Sequence, residues 1–147
     1  MIVIDTSVFI DALFEYDTKR TELAKKLFRL VQDRGITIAE PDIFKVELIG
    51  QLVRRMPREE AMRLYELIVE KIETVDTCKL REISFEIALK TGCRAIDSLY
   101  ISVAHSRRGI LISSDRFQVE SARKYGIKAF YLPEELQEIE RFLGERN

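Results

Sequence analysis

The sequence predicts an α/β fold with a mainly parallel central sheet flanked by helices on both faces. Two observations carry this expectation. Short apolar runs rich in β-branched residues, such as Ile2-Val3-Ile4 and Ile110-Leu111-Ile112, alternate with longer stretches of helical periodicity. The connections between successive runs are long enough for right-handed crossovers, which join parallel strands. At 147 residues, 46% hydrophobic and 33% charged, the chain has the length and composition of one soluble domain, residues 1–147, with one core.

Each element has a local reason. Ile2-Val3-Ile4 reads as a short buried strand that ends in a carboxylate, Asp5. Thr6 and Ser7 offer capping hydroxyls to a helix that begins Val8-Phe9-Ile10. Asp17 or Thr18 can cap a helix running to about 34, with Leu23, Leu27, Leu30 and Val31 on one face and Gly35 closing it. Ile36-Thr37-Ile38-Ala39 is a strand candidate, and Pro41 and Asp42 start the next helix. Gly50, inside that helix, suits a close helix neighbour. Pro57 separates it from a helix at about 58–73, and 74–78 is a connection or a short strand. Helices are expected from Leu80 to Gly92 and over 95–108, ended by Gly109. Ile110 to Ser113 is a strand, Asp115 can cap the helix that ends at Gly126, and 128–132 is the last strand before a helix opened by Pro133.

Composition removes several classes of function. A formal net charge of -1 argues against a generally basic nucleic-acid binder and leaves room for a local basic patch. No apolar stretch suffices for a membrane span, and the N-terminal run contains Asp5 without a basic leader, so it is not a signal peptide. Cys78 and Cys93 form no C-x-x-C pair, which fits reduced thiols in a cytoplasmic protein. Walker A, G-x-G-x-x-G and G-x-S-x-G motifs are lacking, and His105 is the only histidine, so a histidine-based site has little support.

Four acids stand apart from the solvated helix faces. Asp5 and Asp115 follow apolar strands, where open α/β sheets bind ligands. Asp115 reads equally as a helix N-cap. Asp97 heads an apolar helical stripe with Ile101 and Ala104, an awkward place for a carboxylate in contact only with the helix dipole. Glu47 lies at the edge of a buried helical face and reads equally as a boundary residue. Carboxylates gathered together repel, and each raises the others' pKa, so a cluster needs cations. An oxygen-only donor set suits Mg²⁺ or Mn²⁺ better than Zn²⁺.

The ordered set formed by Ile2-Val3-Ile4-Asp5-Thr6-Ser7-Val8-Phe9-Ile10, Glu47, Ala95-Ile96-Asp97-Ser98-Leu99-Tyr100-Ile101-Ser102-Val103-Ala104 and Gly109-Ile110-Leu111-Ile112-Ser113-Ser114-Asp115-Arg116-Phe117 resembles the PIN-domain family, in particular its VapC-type toxin ribonucleases. That family often has Asn where Ser7 stands and Thr where Ser113 stands, and both replacements keep a small hydrogen-bonding side chain. The resemblance covers nearly the whole chain. It implies a Mg²⁺- or Mn²⁺-dependent endoribonuclease whose acidic site is Asp5, Glu47, Asp97 and Asp115, supported by Ser7 and Ser113. Asp5 and Asp97 are the first choice as metal ligands, Asp115 the next, and Glu47 acts through a bound water. It also implies a small VapB-like antitoxin as partner and a homodimer as assembly.

On the RNA side, Arg54, Arg55 and Arg58 follow Glu47, Arg94 precedes Asp97 and Arg116 follows Asp115, which suits phosphate contacts beside the acids. Arg94 and Arg116 are the preferred candidates. The helices around Glu47 and Leu64 carry more apolar residues than one buried stripe requires, with Val46, Ile49, Val53, Leu67 and Val69 widening them. That surplus suits a homodimer face or an antitoxin groove. A haloacid-dehalogenase-like phosphatase also starts with a strand ending in Asp, but such enzymes carry a second Asp two residues on, where this chain has Ser7. A PIN nuclease outside a toxin–antitoxin pair and a catalytically silent PIN-like module are the remaining alternatives.

Overall fold

The computed structural model describes residues 1–145. Strand β1 (Ile2–Ile4) leads into α1 (Thr6–Leu13) and α2 (Thr18–Asp33), then β2 (Ala39–Pro41), α3 (Ile43–Val53), α4 (Arg58–Val69) and β3 (Glu73–Val75). Helices α5 (Thr77–Thr91) and α6 (Ala95–Ser106), β4 (Ile110–Ser113), α7 (Arg116–Lys124), β5 (Ala129–Tyr131) and α8 (Leu132–Gly144) complete the described chain. All strand pairings among the described residues are parallel, so the expected α/β class holds.

The sheet is built in two pieces. β1, β4 and β5 form one ladder, with Ile4 opposite Ile112 and Ser113 opposite Tyr131, and β2 pairs with β3, with Pro41 opposite Val75. Side chains along a strand point alternately to opposite faces. Ile2, Val3 and Ile4 are all buried, as are Ile110, Leu111 and Ile112, so helices cover both faces of the central strands. Gly109 makes the start of β4 possible. A Cβ there would lie 2.8 Å from the Met1 carbonyl oxygen.

The seam between the two pieces decides where the site sits. A single parallel bridge joins Ile2 to Ile38, and the Ile2 N–H donates to the Thr37 carbonyl at 2.9 Å. Beyond it, no backbone carbonyl receives the Ile4 N–H. The Glu40 side chain does so instead, with Oε1 accepting at 2.9 Å. A carboxylate thus stands in for a strand, and β2 diverges from β1 at the edge where Asp5 emerges.

Several boundaries differ from the sequence expectation. The strand expected at 36–39 is displaced to Ala39–Pro41, because 36–38 contribute only a single bridge to β1, through Ile38 and the Thr37 carbonyl. Pro41 therefore closes a strand instead of opening a helix. The helix expected to run to 73 stops at Val69, and Glu73 joins Thr74 and Val75, read as a connection or a short strand, in a strand paired with β2. Helix α5 starts at Thr77, ahead of the expected Leu80, because Asp76 caps it by accepting the Cys78 N–H at 2.8 Å. Helix α6 ends at Ser106, before a left-handed Arg108 with φ of 51°. Gly50 has open space around it and admits no close neighbour. Among the described residues no helix is long and apolar enough to cross a membrane.

Glu40 is fully buried, and its Oε2 has no hydrogen-bond partner among the described residues. Burial pushes its carboxyl well above the ordinary range, and the charges of Asp5 and Glu47 push it further, against the pull of the Ile4 N–H. Between the unfolded carboxyl pKa and this raised folded value, the folded chain holds a proton that the unfolded chain has lost. Stability therefore falls as pH rises through that window. Urea unfolding in EDTA from pH 5 to pH 8 should show a smaller decline for Glu40→Gln than for the wild type, with the two proteins similar at pH 5. Parallel curves would refute the neutral buried acid.

Candidate active site

The site begins with a cap. Asp5 leaves β1 in extended conformation and takes the N-cap position of α1, where Oδ2 accepts the Ser7 N–H at 3.0 Å. Its Oδ1 accepts from the Gln118 side-chain amide at 3.1 Å. The expectation that Thr6 and Ser7 supply the cap is thus corrected. The helix begins at Thr6, so Asp5 holds the N-cap position, and the two hydroxyls are used across the fold. The Ser7 Oγ accepts the Ser114 N–H at 3.3 Å, tying the end of β1 to the end of β4.

Asp115 repeats the arrangement on β4. It caps α7, with Oδ1 accepting the N–H groups of Phe117 at 3.0 Å and Gln118 at 3.4 Å. Ser113 is buried, and its Oγ accepts the Asp115 N–H at 3.0 Å. Gln118 is fully buried and links the two caps, one through its backbone and the other through its side chain.

Asp97 sits in the first turn of α6 and is only 3% exposed, with Ile101 and Ala104 of its stripe fully buried. Burial raises the pKa of its carboxyl, and the Arg94 guanidinium opposes that shift. Arg94 reaches Asp97 Oδ2 through Nε at 3.0 Å and Asp115 Oδ2 through Nη2 at 3.1 Å. One exposed arginine therefore spans the two aspartates.

Glu47 is half-buried on α3. Tyr100, fully buried on α6, donates its hydroxyl to Glu47 Oε1 at 2.6 Å. The Thr6 hydroxyl lies 2.6 Å from the Tyr100 oxygen and 3.3 Å from Glu47 Oε1, with one proton to share between them. Burial raises the Glu47 pKa, and the Tyr100 hydrogen bond opposes it. Sequence reasoning missed Glu40, Thr6, Tyr100 and Gln118. Only Tyr100 carried a usable signal, standing three residues after Asp97 on the same helical face.

Asp5, Glu47, Asp97 and Asp115 line one cleft of about 650 Å³, together with Ser7, Arg55 and Arg94. Among the described residues, however, no three acidic, histidine or cysteine side chains approach closely enough to hold a metal ion as they stand. The acids share a cleft without closing into a chelate. Arg116 does not line it. That arginine donates to Glu134 at 2.7 Å and lies over the Tyr131 ring at 4.4 Å. Arg54 and Arg58 are exposed outside it. His105 is exposed and meets the Tyr125 ring edge-on at 5.6 Å, consistent with a structural role.

The PIN domain model matches residues 2–132. The chain belongs to the PIN domain family. No curated protein matches it in sequence. Among solved structures, it is similar to DNA-bound VapBC from Salmonella typhimurium, with 17% identity, a TM-score of 0.68, and coverage of 88% of this chain and 96% of that one. It is also similar to PAE2754 from Pyrobaculum aerophilum, with 17% identity and a TM-score of 0.65, covering 99% of this chain and 90% of that one. FitAcB from Neisseria gonorrhoeae matches at 17% identity and a TM-score of 0.65, covering 88% and 96%. At such identity these likenesses establish the shared PIN fold.

Tyr100→Phe should leave Glu47 without its shortest hydrogen bond inside a half-buried site. Losing the partner of a buried acceptor costs about 1–3 kcal/mol. Urea unfolding in EDTA should register a loss in that range, and an unchanged midpoint would remove Tyr100 as the support of Glu47.

Proposed function

We propose that this PIN domain is a divalent-metal-dependent endoribonuclease, the toxin of a toxin–antitoxin pair, acting at Asp5, Glu47, Asp97 and Asp115. The observation that carries the reading is the convergence of all four acids on one cleft at the carboxyl ends of β1 and β4, with a cation already drawn between two of them. The donors are all oxygen, which fits a hard ion such as Mg²⁺ or Mn²⁺. Asp5, Asp97 and Asp115 would hold it, with Glu47 as the fourth carboxylate. The ion would supply a polarised phosphate and an activated water.

The chain's own residues prepare this. Asp5 and Asp115 are fixed by the N–H groups they cap, so their remaining oxygen lone pairs face the cleft in set directions. Tyr100 and Thr6 hold Glu47 from behind. Burial of Asp97 favours its neutral form, and positive charge in the cleft restores the carboxylate. Arg94 supplies that charge from an exposed position. Released by an incoming ion, it would be free to hold a phosphate of the RNA. Ser7 and Ser113 position the two strand ends through the Ser114 and Asp115 N–H groups.

The partner side rests on apolar surface. Val46, Val53, Met62 and Leu67 of α3 and α4 are exposed, at 63%, 44%, 44% and 60%. Ile49 and Val69, expected with them, are half-buried. Nearby, Phe9, Leu13, Phe28, Leu67 and Ile72 line an apolar groove of about 270 Å³. A VapB-like antitoxin segment or a second copy of the chain would cover this surface. VapBC complexes among the similar structures support that choice over a stand-alone nuclease.

Asp97→Asn should fold and lose RNA cleavage by at least about 100-fold, more than an outer-shell change costs. Equal cleavage by wild type and variant at matched Mg²⁺ would end the assigned role. Millimolar Mg²⁺ or Mn²⁺ should raise the melting temperature of the wild type, since an ion that binds only the folded cleft stabilises by mass action, and Asp5→Asn should shrink that rise. A transition unmoved by either ion would end the metal reading.

Val46→Glu with Val53→Glu should weaken self-association in sedimentation, or capture of a co-expressed antitoxin. A wild-type monomer whose double variant still captures the antitoxin would clear this face of both roles.

A further inference from the structure

The rim of the acidic cleft carries a feature the proposed chemistry does not use. Tyr16, between α1 and α2, is 73% exposed yet held in place. The Arg55 Nε donates to its hydroxyl at 3.0 Å, and the guanidinium lies 5.5 Å from the centroids of both the Tyr16 and the Phe14 rings. Arg55 is itself fixed by Gln51, donating to its backbone oxygen at 2.8 Å and its Oε1 at 2.6 Å. Tyr16, Gln51 and Arg55 all line the cleft that contains the four acids.

An exposed aromatic ring normally gains little from being immobilised, because ordering it costs entropy with no burial in return. Here three polar contacts order the ring and its arginine in advance, which lowers the cost of receiving a flat ligand. Glu47, Gln51 and Arg55 follow one another at i, i+4 and i+8 along α3 and the turn after it, so Arg55 stands about 12 Å beyond Glu47. That separation takes it away from the reacting phosphate and toward a neighbouring nucleotide. A guanidinium next to an open aromatic face suits a base stacked on the ring with its phosphate on the arginine.

We propose that Tyr16 and Arg55 form a stacking subsite for one base of single-stranded RNA flanking the bond cut at the acidic cleft. The subsite rests on the nuclease reading and adds the residues that would receive one unpaired base beside the cut, since only an unpaired base is free to leave its neighbours. Because the subsite touches no reacting atom, it acts in binding, and its loss appears in KM more than in kcat.

The test uses a fluorophore–quencher single-stranded RNA at fixed Mg²⁺, with kcat and KM measured for wild type, Tyr16→Ala, Tyr16→Trp and Arg55→Gln. Tyr16→Ala should raise KM about tenfold, within the range that base–aromatic stacking supports. Tyr16→Trp should restore it, and Arg55→Gln should raise it too. Moving an abasic nucleotide along the substrate should raise KM at one position for the wild type and leave Tyr16→Ala indifferent there. That series needs no folded variant, so the wild type alone can refute the subsite. Cleavage by the wild type with no abasic-sensitive position beyond the cut, or an unchanged KM in Tyr16→Ala, would overturn the subsite while the nuclease reading stands. Failure of the wild type to cleave any RNA would overturn the nuclease reading, and the subsite with it.

Discussion

Arg94 joins Asp97 to Asp115 through a guanidinium that is 71% exposed, and the geometry of the cleft depends on that bridge. The charge of Asp115 disfavours the ionised form of Asp97, as like charges do. Asp97 is buried, and its burial adds to the penalty on its charged form. A cation between the two acids removes the conflict. The guanidinium itself faces solvent, so its charge is screened even though Asp97 is buried. The cleft is thus built to hold positive charge without committing to its source. Among the described residues the four acids share that cleft without three of them closing into a chelate.

Behind the cleft, polar groups are matched in pairs that cross the sheet. Asp5 and Asp115 each cap a helix, and Gln118 joins both caps. Ser7 and Ser113 each accept an N–H at the end of β4. These contacts fix the two strand ends relative to one another, so the carboxylates inherit their positions from backbone hydrogen bonds. Glu40 performs the corresponding task on the other side of β1, where the ladder opens. The price of that opening is a buried acid with one oxygen unpaired.

Much of this was legible in the sequence, for reasons specific to each residue. Asp5 and Asp115 were marked by the apolar strands before them, and Asp97 by the apolar stripe it heads. Strand Ile110–Ser113 needed only its own β-branched run and the glycine before it. The remainder depended on partners distant in the chain. Glu40 sits next to Pro41 and looks like a strand-end polar residue, since its acceptor role exists only because Ile4 lacks a carbonyl opposite it. Thr6 reads locally as a cap because its neighbours favour one, yet its hydroxyl pairs with that of Tyr100, ninety-four residues away. Glu73 reads locally as the end of a helix and 74–78 as a connection or a short strand, because the pairing of Glu73–Val75 with β2 is set by residues distant in the chain.

Helix α3 links the cleft to the apolar surface, and its anchoring limits how one can affect the other. Phe44, Leu48 and Leu52 are fully buried, and each contributes about 1.5–3 kcal/mol by staying so. Glu47 rides on the same helix, with Val46 and Val53 exposed on its outer side. A partner covering those valines cannot shift α3 without extracting three core side chains from a close-packed interior. Under the proposed function, inhibition therefore does not come from displacing Glu47. It would come over the rim, where Arg94 already shows that a guanidinium reaches the acids. A basic side chain on a bound partner would meet the same carboxylates that hold Arg94, and would exclude the ion by charge while the fold stays in place.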